Sequence, residues 1–296
     1  MPEDWLTDAA GRYPRPDVID THCHLTFPDF AADVPGALAL AQAAGVTGCI
    51  TIATTTHDSL TARDLAMKYP RVWHTAGVHP LYSDKGPHNW REALMAAQSG
   101  KCVAWGELGL DNHYTKPAGS VQRAVLYDQL AFIVDARRGR VGFNDQNRHA
   151  DADTCHTPID LPVVIHCREA FDDLIPILKR APIRPERFVF HCFTGTVADM
   201  RKVLDFGAYV SFTGVATYRN APEVREAARL VPADRIMVET DAPFLPPEPK
   251  RTTRPCQPAF ARITAESLAV TRGVDFQTFH KQINENTIRF FGIPAE

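Results

Sequence analysis

Eight short apolar runs alternate with helix-patterned segments along this chain, and that alternation constrains its fold more than any other feature. The runs are VIDTHCHL (18–25), VTGCITIAT (46–54), VWHTAGVH (72–79), CVAWGELGL (102–110), LPVVIHCR (161–168), RFVFHCF (187–193), AYVSFTG (208–214) and RIMVETDA (235–242). They are rich in Val, Ile and Phe and apolar through their first halves, as strands covered on both faces are. Between and after them, the spacing predicts helices over 33–44, 58–69, 89–99, 120–138, 170–181, 196–206, 221–231, 257–272 and 275–291. Eight such units over roughly 250 residues predict a single-domain α/β fold, the (β/α)8 barrel. A doubly wound open sheet is the alternative, because periodicity does not show closure. The polar residues favour the barrel: strand after strand ends in His, Glu or Asp, at the end where barrel enzymes carry their chemistry.

Composition narrows the function. The 296 residues are 45% apolar and carry 32 Lys+Arg against 35 Asp+Glu, a formal charge of −3. That is ordinary globular composition with core enough for one large domain, and it excludes coating nucleic acid through bulk basicity. No apolar run approaches the ~18 residues of a membrane span. Residues 1–16 read as an acidic, proline-broken extension without the basic and apolar regions of a secretory signal, followed by a barrel over 17–292. Seven cysteines, an odd number with no CxxC pair, sit mostly in apolar runs, which predicts reduced thiols and a cytoplasmic protein. No obligate protein partner is readable.

One segment breaks the rhythm. Residues 137–160, RRGRVGFNDQNRHADADTCHTPID, are polar and without period. They contain His149, Asp151, Asp153, Cys155 and His156, a tempting zinc set. In a barrel, however, this segment joins a helix to the next strand on the bottom face, so it reads as a mobile insertion and not a second metal site.

The strongest chemical signal is Asp20-Thr21-His22-Cys23-His24. Residues i and i+2 of a strand share a face, so His22 and His24 point together while Cys23 points away. Two imidazoles at a strand's C-terminal end suit a divalent metal of intermediate softness. Glu107, His166, His191 and Asp241 stand at four other strand ends. Four histidines and two carboxylates on five strands converge only if the strands close, and they suit two metals sharing one bridging carboxylate. Near them, Arg168 shares a strand face with His166, within reach of a phosphate or a carboxylate. Asp111 and His113 follow Glu107 as supporting or substrate groups, and Asp20 supports the site from the His22 face. His57, His74, His88, His149, His156 and His280 read as structural or surface residues. Cys23, Cys167 and Cys192 neighbour ligands but face the opposite way, toward the outer helices.

In order, DTHCHL, AGVHP, GELGLD, VVIHCR, HCFTG, ETDAP and NTIRFF resemble the motifs of the TatD family of metal-dependent deoxyribonucleases, within the amidohydrolase-like barrels. The resemblance runs from about Asp17 to Phe291. It implies that His22, His24, Glu107 and Asp241 ligate one metal and Glu107, His166 and His191 a second, with Glu107 bridging. Zn, Mn, Ni and Mg are all candidates. Relatives that bridge their metals with a carbamylated lysine need a Lys here; Glu107 supplies the carboxylate unmodified. The resemblance further implies that Asp241 orients the attacking water and takes its proton, and that His79 lies near the scissile phosphate. Two divalent ions outweigh Glu107 and Asp241 by about two positive charges, so a mildly acidic protein can hold a phosphodiester locally. The implied activity is hydrolysis of DNA, trimming single-stranded ends from 3′ to 5′ in repair or turnover. A metal hydrolase of another phosphoester, amide or lactone is the alternative. Two departures stand out: the insertion at 137–160, and Pro255-Cys256-Gln257-Pro258 where family members carry Arg-Asn-Glu-Pro. Arg251 and Arg254 lie close enough in sequence to stand in for that arginine.

Overall fold

The computed structural model describes residues 17–143, 149–151 and 157–294. The N-terminal extension and Asp153, Cys155 and His156 lie outside the described residues, as do the side chains of His149 and Asp151. The strands are β1 (Val18–Cys23), β2 (Val46–Thr51), β3 (Val72–Ala76), β4 (Cys102–Asp111), β5 (Val141–Phe143), β6 (His149–Asp151), β7 (Val163–Arg168), β8 (Phe188–Phe190), β9 (Tyr209–Phe212) and β10 (Ile236–Val238). The helices are α1 (Pro28–Ala31), α2 (Val34–Ala43), α3 (Thr56–Ala66), α4 (Trp90–Ala97), α5 (Gly119–Arg137), α6 (Phe171–Arg180), α7 (Val197–Phe206), α8 (Pro222–Leu230), α9 (Ala261–Arg272) and α10 (Phe276–Phe291).

Eight parallel strands line up in the order β1-β2-β3-β4-β7-β8-β9-β10. The ring closes where β10 runs on past its last ladder residue: Asp241 N–H donates to His22 O at 2.8 Å, and His24 N–H to Ala242 O at 2.7 Å. The Thr21 hydroxyl adds a bond to Val238 O at 3.1 Å. The fold is thus a nearly closed (β/α)8 barrel, the predicted class.

Two apolar layers hold it. The outer one lies between strands and helices and takes alternate strand residues such as Val163, Ile165, Ile236 and Val238. The inner one fills the barrel with Ile50, Ile52, Trp73, Val164, Val189 and Met237. Phe290, Phe291 and Ile293, from the end of α10, complete that inner layer, and Phe290 packs on Tyr209 with ring centroids 4.8 Å apart. Each such buried side chain is worth ~1.5–3 kcal/mol. The NTIRFF motif is therefore a structural device. Its Asn286 donates to Ala233 O and Ile236 O, both at 2.8 Å, pinning α10 to the start of β10.

Two departures from the sequence reading concern the elements themselves. Strands predicted over 187–193 and 235–242 shrink to Phe188–Phe190 and Ile236–Val238, so His191 and Asp241 lie just beyond their ladders. The segment read as aperiodic contains a short antiparallel pair, with Val141 opposite Asp151 and Phe143 opposite His149. Its flanks are held by Arg137, which donates to Leu161 O at 2.8 Å just before β7 begins, at the end of the barrel away from the ligands.

Candidate metal centre

Glu107 stands at the middle of the site, and the backbone of β4 puts it there. Between Trp105 and Leu108 the β4–β7 ladder slips register, around Gly106. Gly106 has φ +134°, and a Cβ on it would lie 2.7 Å from Val164 O; two residues beyond Glu107, Gly109 has φ +152° with His166 O at 1.9 Å. Only glycine tolerates those positions, and together they deliver a carboxylate that is 1% exposed between two groups of histidines.

The first group gathers His22, His24 and Asp241. Along β1 the register advances three residues, Asp20 to Cys23, against two on β2, Cys49 to Thr51. This bulge breaks the strict alternation expected from the sequence and re-aims the side chains around it. His22 and His24 nevertheless converge. Asp241 Oδ1 lies 3.6 Å from His22 Nε2 and 3.3 Å from His24 Nε2, and Glu107 Oε2 lies 3.2 Å from His22 Nε2. Asp20 staples this group from below: its Oδ2 accepts from the Thr240 hydroxyl at 2.6 Å and its Oδ1 from Thr240 N–H at 2.9 Å. Burial pushes the Asp20 carboxyl up to about 8.

The second group surrounds Glu107 Oε1. His191 Nε2 lies at 2.6 Å, His166 Nδ1 at 2.7 Å and His79 Nε2 at 3.4 Å. Burial opposes the ionised form of Glu107, but His191, His79 and His22 outweigh it and hold the carboxyl well below its usual range. His166 also presents Nε2 to Asp111 Oδ2 at 3.0 Å. Burial opposes its protonation, and Asp111 and Glu107 outweigh that to raise its pKa. Asp111 is itself fixed by Gln122, whose side chain accepts from Asp111 N–H at 2.8 Å and donates to Asp111 O at 2.9 Å. His113 does not reach the candidate ligands; it pairs with Glu169 at 2.8 Å near the surface.

Glu239 is the residue that sequence reasoning missed. It lies inside the ETDAP motif, two residues before Asp241, yet points into the barrel. Its Oε1 accepts from Cys192 N–H at 2.6 Å and faces His191 Nδ1 at 3.4 Å. Its Oε2 accepts from the hydroxyls of Ser211 at 2.6 Å and Thr21 at 3.2 Å. Glu239 so fixes the orientation of His191, whose ring stacks on His22 at 3.9 Å. Alternation with Asp241 was the available signal. Cys192 follows His191 in a left-handed conformation, φ +46°, with its thiol beside the Thr213 hydroxyl at 3.5 Å, and so does not continue the strand as expected.

Hydrogen-bond donors fix the tautomers. His24 Nδ1 must donate to Ile52 O at 3.2 Å, so a neutral His24 turns the Nε2 lone pair toward Asp241. His79 Nδ1 accepts from Leu81 N–H at 2.9 Å, so Nε2 carries the proton facing Glu107. Burial pushes the His79 pKa down to about 4. Among the described residues, His22 Nδ1, His22 Nε2, Glu107 Oε2 and His191 Nδ1 make no hydrogen bond although they are buried. Lone pairs turned on carboxylates, with buried polar atoms left orphaned, are what a cation between them would satisfy. The chemistry fits a metal. Three groups of this set have donor atoms close enough to hold one: His22, His24 and Asp241; His79, Glu107 and His166; and His22, His191 and Glu239.

Arg168 lies off these groups. Its guanidinium sits 5.1 Å over the Tyr114 ring, toward the rim. Arg251 sits 3.6 Å over Tyr218, and Arg254 donates to Arg251 O and Thr253 O, both at 2.9 Å, shaping its own loop.

A parallel α/β barrel with imidazoles and carboxylates packed at the C-terminal mouth is the architecture of a metal-dependent hydrolase. The sequence model of the family described as "TatD related DNase" matches residues 19–136 and 156–292, and the chain belongs to that family. It is 36% identical over 281 residues to the uncharacterized metal-dependent hydrolase YcfH of Escherichia coli K12, covering 94% of this chain and 97% of that one. It is 32% identical to the 3′-5′ ssDNA/RNA exonuclease TatD of Enterobacter lignolyticus, covering 93% and 99%. Among solved structures it resembles YJJV, a TatD homolog from Escherichia coli K12, with a TM-score of 0.79 and 28% identity over 94% of this chain and 98% of that one.

Proposed function

We propose that the protein is a two-metal phosphodiesterase that hydrolyses DNA, trimming single-stranded ends from 3′ to 5′. The observation that carries this reading is the division of donors about Glu107. One carboxylate oxygen faces His22, beside His24 and Asp241, and the other faces His166 and His191. His22, His24, Asp241 and Glu107 would hold one ion, and Glu107, His166 and His191 the other, with Zn, Mn, Ni or Mg as candidates. Bound there, divalent ions supply charge for the phosphoryl oxygens and lower the pKa of the attacking water. Asp241, whose side chain is 15% exposed against 1% for Glu107, is the carboxylate that solvent reaches. It takes the proton of the nucleophile. His79 offers its Nε2–H at the inner edge of the mouth, toward a phosphate oxygen, and Arg168 meets the strand further out. The relatives named as 3′-5′ ssDNA/RNA exonucleases support a nucleic-acid substrate. Among the described residues, six free thiols, five of them buried, support a cytoplasmic setting.

The test is a substrate panel with several divalent metals: end-labelled single-stranded DNA, duplex DNA, RNA, and small phosphoester, amide and lactone substrates. Stepwise shortening of single-stranded DNA from the 3′ end is expected, together with up to two ions per chain by elemental analysis. Turnover of only a small amide or lactone would replace the reading.

A further inference from the structure

Resting on the nuclease reading, we infer that Phe244 is a stacking platform for the terminal base of the single strand. The ring stands on the lip of the centre. Phe244 follows Asp241 by three residues, and its N–H donates to Asp241 O at 2.9 Å, so the turn that presents the carboxylate also presents the ring. Both Asp241 and Leu245 adopt left-handed backbone, with φ +57° and +54°, which fixes that turn on either side of Phe244.

Phe244 is 49% exposed, an apolar ring left in water beside a cluster of buried charges. Among the described residues its aromatic neighbours are Phe27 and His24. Phe27 meets it edge-on with centroids 6.1 Å apart and stacks on His24 at 4.6 Å. His24 itself lies 6.3 Å from Phe244, so ring and metal ligand are within the reach of one nucleotide. A phosphate at the centre would place its own base, or the next, against the open face. Every base has a π-face, so such contact is sequence-tolerant and is lost when the base is paired and stacked in a duplex.

The same loop carries complementary charge. Cys256 N–H closes it onto Pro243 O at 2.9 Å, and between those anchors stand Lys250, Arg251 and Arg254 against the single acid Glu248. Lys250 and Arg254 are exposed. An aromatic ring beside a cationic loop suits an unpaired strand better than an apolar peptide side chain, which would leave those cations unused.

The experiment compares single-stranded oligonucleotides identical except for the terminal residue, which bears either a base or an abasic sugar, placed at the 3′ or the 5′ end. Stacking of ~1–3 kcal/mol per base corresponds to about 5- to 150-fold in kcat/KM. Wild type should prefer the base-bearing 3′ terminus by that factor, mostly through KM. Phe244→Ala should abolish the preference by slowing the base-bearing substrate down to the abasic one, while Phe244→Trp preserves it. Metal content and circular dichroism of the variants establish that the centre and fold are intact. Equal discrimination in wild type and Phe244→Ala, or an equal loss on both substrates, overturns the platform while leaving the nuclease reading in place. A wild type that shortens no oligonucleotide overturns both.

Discussion

The barrel buries histidines at two levels, and His74 below behaves opposite to His166 and His191 at the mouth. His74 lies within β3, low in the barrel, fully buried. Its Nδ1 donates to Thr75 O at 3.1 Å, while its Nε2 has no hydrogen-bond partner among the described residues. Among the described residues no carboxylate is paired with it, and burial pushes its pKa down to about 4. His191 is buried and His166 partly buried at the mouth, yet each faces two carboxylates, and their pKa values rise despite burial. Burial alone therefore keeps an imidazole neutral, and at His166 and His191 a pair of carboxylates from other strands outweighs it; His79, with Glu107 at 3.4 Å, is still pushed down to about 4.

Breaking the mouth should have the largest effect. Glu107→Gln removes the charge that serves both histidine groups. It should lose metal from both and cost more activity than the ~10²–10⁴-fold typical of a missing general base. Asp241→Asn should fall within that range while keeping most of its metal, because His22, His24 and Glu107 remain. Metal content beside single-turnover cleavage separates the two variants. Near-wild-type cleavage by metal-loaded Asp241→Asn would transfer the proton to another acceptor.

Glu239→Gln sharpens the comparison, because it leaves every proposed ligand present and acts on His191 through the Glu239 carboxylate and its contacts to Cys192, Ser211 and Thr21. Supporting residues of this kind typically cost ~10–100-fold in metal affinity or activity. Metal titration should show the loss, and Glu239→Asp should recover part of it. Equal affinity in all three proteins would reduce Glu239 to a packing role.

The smallest effect is at His74, and it concerns stability. The folded pKa is depressed, from 6.5 to about 4. Above 6.5 the imidazole is neutral in both states and contributes no pH dependence. As pH falls from 6.5 toward 4, the unfolded chain takes a proton that the folded one refuses, so stability drops, by about 2 kcal/mol at pH 5. His74→Leu should remove that part of the acid sensitivity. Urea midpoints at pH 7 and pH 5 measure it, and equal slopes in both proteins would show that His74 does not titrate as its burial dictates.

The barrel class was legible because alternating strands and helices leave a strong periodic trace, and polar residues at strand ends marked its working face. The His22-x-His24 pair and Glu107 were legible for the same reason. What escaped is where backbone departs from the periodic rule. The bulge in β1, the left-handed Cys192 and Asp241, and the register slip around Gly106 are set by contacts between strands, which local pattern does not contain. Glu239 escaped because its neighbour Asp241 accounted for the motif. His113 looked like a supporting group by spacing, but the chain turns it outward to Glu169. Hydrogen-bond partners such as Asp111 with Gln122 and Asp20 with Thr240 join residues whose pairing only the folded chain defines.

The α10 plug has a consequence for traffic. Phe290 and Phe291, each 4% exposed, and Ile293 stopper the barrel from below, and Ile50, Val164 and Met237 fill its lumen above them. The barrel is a blind well with one door. No polymer can be threaded through it, so a chain can offer only its tip or a bent-out loop. On the nuclease reading, the strand and the released nucleotide would share that one opening.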